Sequence, residues 1–359
     1  MKTPTPPTLL EGAYQSHRRK KYGLLLISLG ITLLLFCIHL FAGASHMTFG
    51  EVLRALFFRG EASHAIILWN IRMPRALSAL LAGAGLALCG CVMQTTLKNP
   101  MASPSTLGVS NAAVFGANVA IVFWGAGQFQ STHGALLSVT SISRITLCAF
   151  GMAFLSVLFM LFLSSKTAFS PGAVVLSGVA TGALFDAGTN LVQYFAMDTQ
   201  ISAAVFWTFG DLGRVGYTEV LILAICVVVV TVYFICKSWD LNTLTHGEDT
   251  ARSLGVRVSA VRFFALLLSS LVCALCVSFF GIIGFVGLVA PQAVKRFVGI
   301  DHRFLLPLSA LSGSALLLLA DILSRTMLKD ISLPVGAITA LFGAPLFLYL
   351  ILHKKGGAR

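Results

Sequence analysis

The most constraining feature of this chain is a series of long apolar runs separated by polar joins. A helix crosses the hydrocarbon core of a bilayer with about 20 apolar residues, whereas a transmembrane strand needs about ten in alternation. Ten continuous runs cover roughly residues 23–42, 76–96, 105–126, 143–163, 173–196, 217–236, 261–280, 283–298, 305–324 and 334–352. The sequence therefore predicts an all-α, polytopic transmembrane bundle of ten helices with both termini on one side.

Composition agrees with a chain that faces lipid. Hydrophobic residues make up 57% and charged residues 11% of the chain, whereas soluble domains have about 25% charged residues. The first run is too long for a cleaved signal peptide, whose apolar region spans about 7 to 15 residues. We expect a basic N-terminus over 1–22, a single membrane domain over 23–352 and a tail over 353–359.

The basic residues predict the orientation of the bundle. Most of the 25 Lys and Arg residues fall on the side of the N-terminus, and cytoplasmic loops are enriched in Lys and Arg. Both termini are therefore predicted to be cytoplasmic. The net charge of +12 then reflects topology, and it does not indicate nucleic-acid binding.

Motifs for catalysis or nucleotide binding are missing from the sequence. It contains no Gly-x-x-x-x-Gly-Lys-[Ser/Thr] phosphate loop and no hydrolase or metalloprotease signature. Cys273 and Cys276 have redox spacing but lie in an apolar run, where cysteine usually packs as a small hydrophobe. We expect no enzyme activity, no metal and no cofactor in this chain.

Two carboxylates fall inside the apolar runs, at Asp186 and Asp321. Such a group is costly in lipid and often marks a pathway or proton relay. Asp321 precedes Arg325 by one helical turn, so the two can form a structural ion pair. Asp186 can face a watery cavity, or it can be the titratable site of a proton- or sodium-coupled secondary transporter. A scaffolding protein would explain the spans but not the polar joins.

Six polar motifs lie at the joins between the runs. They are Arg72-Met-Pro-Arg75, the segment from Gln94 to Gly108, the loop from Leu244 to Val256, the segment from Gly284 to Arg303, Ala320-Asp321-Ile-Leu-Ser-Arg325, and the segment from Leu333 to Phe347. In this order they resemble the FecCD family of ABC importer permeases. Gln292 stands where that family usually has a histidine.

The resemblance implies a set of partners. Family members carry ferric siderophores, haem or cobalamin and work in pairs, so a second permease copy is expected. Two separate ATP-binding subunits, which hold the ATP and Mg, are expected on the cytoplasmic side. A substrate-binding protein is expected in the periplasm, and the permease itself is expected in the inner membrane of a bacterium, where lipid surrounds the spans.

The resemblance also implies roles for particular residues. The cytoplasmic loop over 237–262 matches the segment that couples to the ATPase, with Gly247, Glu248, Arg252, Leu254 and Gly255 as the candidates; a merely solvated loop is the alternative. Three outer arginines match the docking rim for the binding protein, namely Arg72, Arg75 and Arg325, and anchoring to lipid headgroups is the alternative. The predicted gate and pathway residues are Ser170, Pro171, Gly172, Gln94, Asn99 and Asp186.

Overall fold

The computed structural model describes residues 9–43, 47–59, 61–125, 139–328 and 332–353. Its α-helices are α1 (Leu9–Phe41), α2 (Phe49–Leu56), α3 (Ala62–Ile66), α4 (Met73–Thr96), α5 (Val109–Trp124), α6 (Val139–Ser165), α7 (Pro171–Tyr194), α8 (Asp198–Thr208), α9 (Tyr217–Cys236), α10 (Ser238–Thr245), α11 (Glu248–Ser253), α12 (Val258–Phe280), α13 (Val286–Val298), α14 (His302–Thr326) and α15 (Val335–Leu352). Because both termini are predicted to be cytoplasmic, we call the cytoplasmic ends of the helices inner and the opposite ends outer.

Each of the ten predicted runs forms a helix, and the all-α class is confirmed. Eight helices in the described part of the chain are long and apolar enough to cross a membrane, while α5 and α13 are shorter. The largest difference from the prediction is at the second run, 76–96. There the helical segment extends from Ala62 to Thr96 and includes a π-helical turn at Ile67–Arg72. Its arginines do not end the helix, since they are paired within the bundle.

The polar loops contain short helices. The N-terminal segment predicted over 1–22 belongs to α1 where it is described. In the tail predicted over 353–359, residues 354–359 lie outside the described residues. The outer join between α7 and α9 contains α8, and the inner loop over 237–262 contains α10 and α11. Helix α2 was not predicted, although Glu51, three residues after Thr48, accepts from the Thr48 backbone N–H at 2.7 Å and marks its start.

Helix α4 lies at the centre of the bundle, where it packs against α14, α12, α13 and α9. The closest approaches need glycine. A Cβ on Gly83 would lie 2.8 Å from the backbone of Ser314 in α14, and one on Gly90 would lie 2.8 Å from the Cα of Gly287 in α13. Backbone therefore meets backbone along α4, which is typical of small residues at membrane helix contacts.

Candidate functional site

The predicted coupling loop is bonded to the bundle through its first helical residue. Glu248 begins α11, and its carboxylate accepts a hydrogen bond from the buried guanidinium of Arg262 in α12. Lys98 and Arg252 lie farther away, each 3.9 Å from a Glu248 oxygen. The bond from Arg262 lowers the pKa of Glu248 below its ordinary value, so the carboxylate stays ionised at neutral pH.

The rest of that loop faces solvent. The Arg252 side chain is 64% exposed, and Leu254 and Gly255 are also exposed. Gly247 and Gly255 flank α11 with φ of +127° and +82°, a backbone region that glycine enters without steric cost. The two glycines thus let a short helix project from the inner surface with Arg252 and Leu254 outward.

The predicted gate segment begins α7. Ser170 and Gly172 are exposed and Pro171 is half-buried, and proline suits the first helical position because its missing N–H would have no partner there. Ala168 and Phe169, just before it, have φ of +50° and +57°. Left-handed backbone is costly for residues with a side chain, so the loop leading into α7 is strained.

Gln94 joins α4 to α13. Its amide nitrogen lies 3.2 Å from the carbonyl oxygen of Gly287 and donates to it. Pro291, inside α13, has no N–H for that carbonyl four residues earlier. Gln292 donates to Gln94 Oε1 at 2.6 Å. Gln94 therefore satisfies a carbonyl that proline leaves free, and Gln292 holds Gln94 in place.

Asn99 and Asp186 lie in different surroundings. Asn99 Oδ1 accepts from the Met101 backbone N–H at 2.9 Å, so its side chain stabilises the turn after α4. Asp186 is exposed on α7 and accepts from Asn111 Nδ2 at 2.7 Å. One turn later, Asn190 is exposed as well. Asp186 and Asn190 thus form a polar surface partway along a span.

A second charged cluster lies at the outer end. Asp321 in α14 is fully buried and accepts from Arg75 Nη2 at 2.9 Å and Arg325 Nε at 3.0 Å. His39 Nε2 of α1 lies 2.7 Å from its second oxygen. The predicted Asp321–Arg325 pair is therefore present. Arg75 and His39 are two further partners, so side chains from α1, α4 and α14 contact one carboxylate.

The last turn of α1 receives the remaining donors. Arg72 Nη1 donates to the Leu40 carbonyl at 2.7 Å, and Arg325 Nη1 donates to the Ala42 carbonyl at 2.8 Å. Carbonyls at a helix C-terminus have no partner within the helix. Both arginines thus cap the C-terminal end of α1, and Arg325 also neutralises Asp321.

Most of the chain matches one known protein family. Residues 31–353 match the FecCD transport family, which is nine-tenths of the chain. The chain belongs to the FecCD transport family.

Relatives of this FecCD protein are named as ABC transporter permeases. A Methanocaldococcus jannaschii protein so named is 44% identical over 94% of this chain and 97% of its own length. The vitamin B12 import system permease of Salmonella typhi is 36% identical over 96% of this chain and 99% of its own length. A solved structure described as a metal-chelate type ABC transporter in an inward-facing conformation aligns with a TM-score of 0.78 and 28% identity, over 92% of this chain and 99% of that one.

These matches make the FecCD protein the permease subunit of an ABC importer of the metal-chelate type, a transport subunit and not an enzyme. It is a multi-pass membrane protein. The family assignment leaves the secondary-transporter alternative without support, and Asp186 is not needed as a coupling site for protons or sodium.

The structure places the three outer arginines of this FecCD permease among internal contacts. The Arg72 side chain is buried. The side chains of Arg75 and Arg325 are only 14% and 9% exposed, and both are bonded to Asp321. Docking of a binding protein at these arginines stays a prediction, and the acidic partner that the structure gives Arg75 and Arg325 is Asp321 of the same chain.

Two predicted residues on the inner side have bonds within the chain. The Glu248 carboxylate accepts from Arg262, and Gln94 donates to the Gly287 carbonyl in α13. Their roles in the ATPase contact and in the pathway stay predictions. Sequence reasoning missed Arg262 and His39, because it searched the spans only for carboxylates. A charged or titratable side chain of either sign in a span is a signal worth following.

Proposed function

We propose that this permease forms the pathway of an ATP-driven importer that moves a metal chelate into the cytoplasm. Two separate ATP-binding subunits power it, and an extracytoplasmic substrate-binding protein delivers the cargo to its outer end. The observation that carries the proposal is α11, a short cytoplasmic helix that presents Arg252 and Leu254 to solvent while Glu248 bonds to the bundle.

The inner surface around α11 has the chemistry of a protein contact. Leu254 and Trp239 are both more than half exposed, and large apolar side chains on a polar surface often mark partner sites. Arg252 adds a guanidinium, which is common in binding hot spots. Since the sequence has no phosphate loop, the partner expected here is the ATP-binding subunit, with its ATP and Mg.

The polar surface of α7 favours a second copy of the chain. An ionised carboxylate in the middle of a bilayer costs about 2.5–3.5 kcal/mol on insertion scales, so Asp186 and Asn190 should not face lipid. A water-filled pathway between two copies would solvate both residues. The same helix begins at Pro171, so the predicted gate of Ser170, Pro171 and Gly172 would lie at the inner end of that pathway.

The cargo is proposed as a class. Relatives at 36% identity import vitamin B12, and the solved relative is described as a metal-chelate type transporter. Ferric siderophores, haem and cobalamin all belong to this class. Titration of the cognate binding protein with each of the three, followed by uptake into proteoliposomes, identifies which one is carried.

Co-purification tests the ATPase contact. The unmodified permease should retain an ATP-binding subunit in detergent, and the double variant Arg252→Ala with Leu254→Ala should release it. Lys237→Ala removes a charge from the same cytoplasmic segment, where Lys237 pairs locally with Asp240, and should leave the complex intact. Uptake that continues in cells lacking every partner ATP-binding subunit would refute the proposal.

A further inference from the structure

One buried arginine connects three separate parts of the inner side. Arg262 lies in the second turn of α12, and its side chain is only 3% exposed. Its Nε donates to the Thr96 carbonyl at 3.1 Å, its Nη1 donates to the Phe169 carbonyl at 3.3 Å, and its Nη2 bonds to the Glu248 carboxylate. These partners belong to the end of α4, the loop before the gate, and the start of α11.

Each partner is available for a local structural reason. Thr96 ends α4, where carbonyls lack intrahelical donors. Phe169 has left-handed backbone, with φ of +57°, and its ring packs edge-on against Phe263 beside Arg262. Glu248 is the first residue of α11, where a negative charge is favoured. A guanidinium carries five donors in a rigid plane, so one side chain can satisfy all three acceptors together.

We infer that Arg262 is the positioning residue that transmits movement of α11 to the gate segment and to α4. The inference rests on the proposed function, because it takes Arg252 and Leu254 as the ATPase contact. When that contact shifts α11, the guanidinium of Arg262 moves with the Glu248 carboxylate. Because the guanidinium is rigid and planar, the nitrogens that donate to the Phe169 and Thr96 carbonyls move as well.

Burial makes the three bonds move together. The Arg262 side chain is 3% exposed and forms an ion pair with Glu248, so the guanidinium is more stable when it follows Glu248 than when it leaves it. The backbone at Ala168 and Phe169 is strained, and the bond from Arg262 to the Phe169 carbonyl helps to hold it in that conformation. The segment Ser170–Gly172 comes directly after it, so release or tightening of this bond changes the inner end of α7.

The experiment uses the permease reconstituted in proteoliposomes with its ATP-binding subunits and binding protein. Arg262→Gln should keep the ATP-binding subunits and basal ATP hydrolysis, but uptake and the stimulation of hydrolysis by loaded binding protein should each fall about tenfold or more. Arg262→Lys keeps the charge but not the planar guanidinium, so its uptake should lie between that of the unmodified permease and that of Arg262→Gln. Arg303→Gln is the matched control, since Arg303 is an exposed arginine at the start of α14.

A labelling measurement separates transmission from general loss of structure. Ser170→Cys, made with the exposed Cys37 and Cys236 replaced by serine, should react with a hydrophilic thiol reagent at a rate that changes when ATP and vanadate are added. In the Arg262→Gln background that change should disappear.

Three outcomes would overturn the inference. The first is full uptake by Arg262→Gln. The second is a nucleotide-dependent change in labelling that persists in the Arg262→Gln background. The third is that both Arg262 variants lose their ATP-binding subunits as well as their uptake. An unmodified permease that binds no ATP-binding subunit would overturn the proposed function, and the inference with it.

Discussion

Two charged clusters lie at opposite ends of α4, and they differ in how their carboxylates are held. At the outer end, Asp321 is fully buried and bonded to three side chains from three helices. At the inner end, Glu248 is 28% exposed and accepts a hydrogen bond from one side chain, Arg262, while Lys98 and Arg252 lie 3.9 Å from its oxygens. A carboxylate with three buried partners cannot move without leaving charges unpaired, whereas one with a single partner can move with it. The outer cluster thus holds its carboxylate in place, and we call it a fixed joint. The inner cluster lets its carboxylate move together with Arg262, and we call it a movable joint.

The helix between the two clusters is suited to transmit displacement. Gly83 and Gly90 bring the α4 backbone against the backbones of α14 and α13. Close packing of this kind deforms little, so displacement of the inner end passes along α4 as a rigid-body shift. In the movement proposed for Arg262, the cluster at the outer end would be the pivot of that shift.

The comparison predicts the largest loss of stability at the outer cluster. Asp321→Asn removes the shared carboxylate and leaves buried arginines unpaired, so the free energy of unfolding should fall by about 3–5 kcal/mol. Asp211→Asn is the control, because Asp211 is 44% exposed and 3.5 Å from the same Arg75; its cost should stay below about 1 kcal/mol. Thermal unfolding in detergent measures both, and equal losses would show that the outer cluster is not a fixed joint.

The next largest effect is expected where α4 meets α13. In Gly90→Ala the new Cβ would lie 2.8 Å from the Gly287 Cα, and overpacking of this kind costs about 1–3 kcal/mol. Gly151→Ala, in α6, is the control, since a Cβ there has no neighbour within 4 Å. Removing an exposed helix glycine should be neutral or slightly stabilising. A melting temperature unchanged by Gly90→Ala would contradict a rigid α4.

The sequence was sufficient to predict the fold because its signal is the hydrophobic length of each span. Lipid leaves few backbone options other than helices, so ten apolar runs implied ten helices. Helix ends were less predictable. The span before Thr96 begins at Ala62 and not near 76, and Arg72 and Arg75 within it bond to groups that are distant in the sequence.

The candidate site was predicted in part. Asp321 and Arg325 are one helical turn apart, so their pairing followed from helix geometry alone. The contact between Arg75 and Asp321 joins residues 246 positions apart, and no local pattern indicates it. Glu248 bonds to Arg262, 14 positions away and in another helix, and spacing along the chain did not indicate this pair. Local spacing thus predicts pairs within one helix and not those between helices.

A smaller effect is expected from the polar contact between α4 and α13. Gln94→Leu leaves the Gly287 carbonyl without a donor, and an unsatisfied buried acceptor costs about 1–3 kcal/mol. Since the side chain is only partly buried, the lower end of that range is expected. Gln292→Leu should cost less, because Gln94 can still donate to Gly287. Thermal unfolding of both variants checks this order, and the reverse order would show that Gln292, and not Gln94, stabilises the break at Pro291.

The smallest expected effect is a pH dependence at the inner cluster. The Arg262 bond lowers the pKa of Glu248 from its ordinary value of 4.5, so the folded state favours the ionised carboxylate more than the unfolded state does. That contribution is present above pH 4.5 and is lost as the pH falls through the lowered pKa. Because Glu248 is partly exposed, its size should be below about 1 kcal/mol. The melting temperature of Glu248→Gln should therefore lie slightly below that of the unmodified protein at pH 7, with the gap closing as the pH falls below 4.5. A gap that stays constant, or widens in acid, would mean that the ionised Glu248 carboxylate does not hold α11 to Arg262, and the inner cluster could not then act as a movable joint.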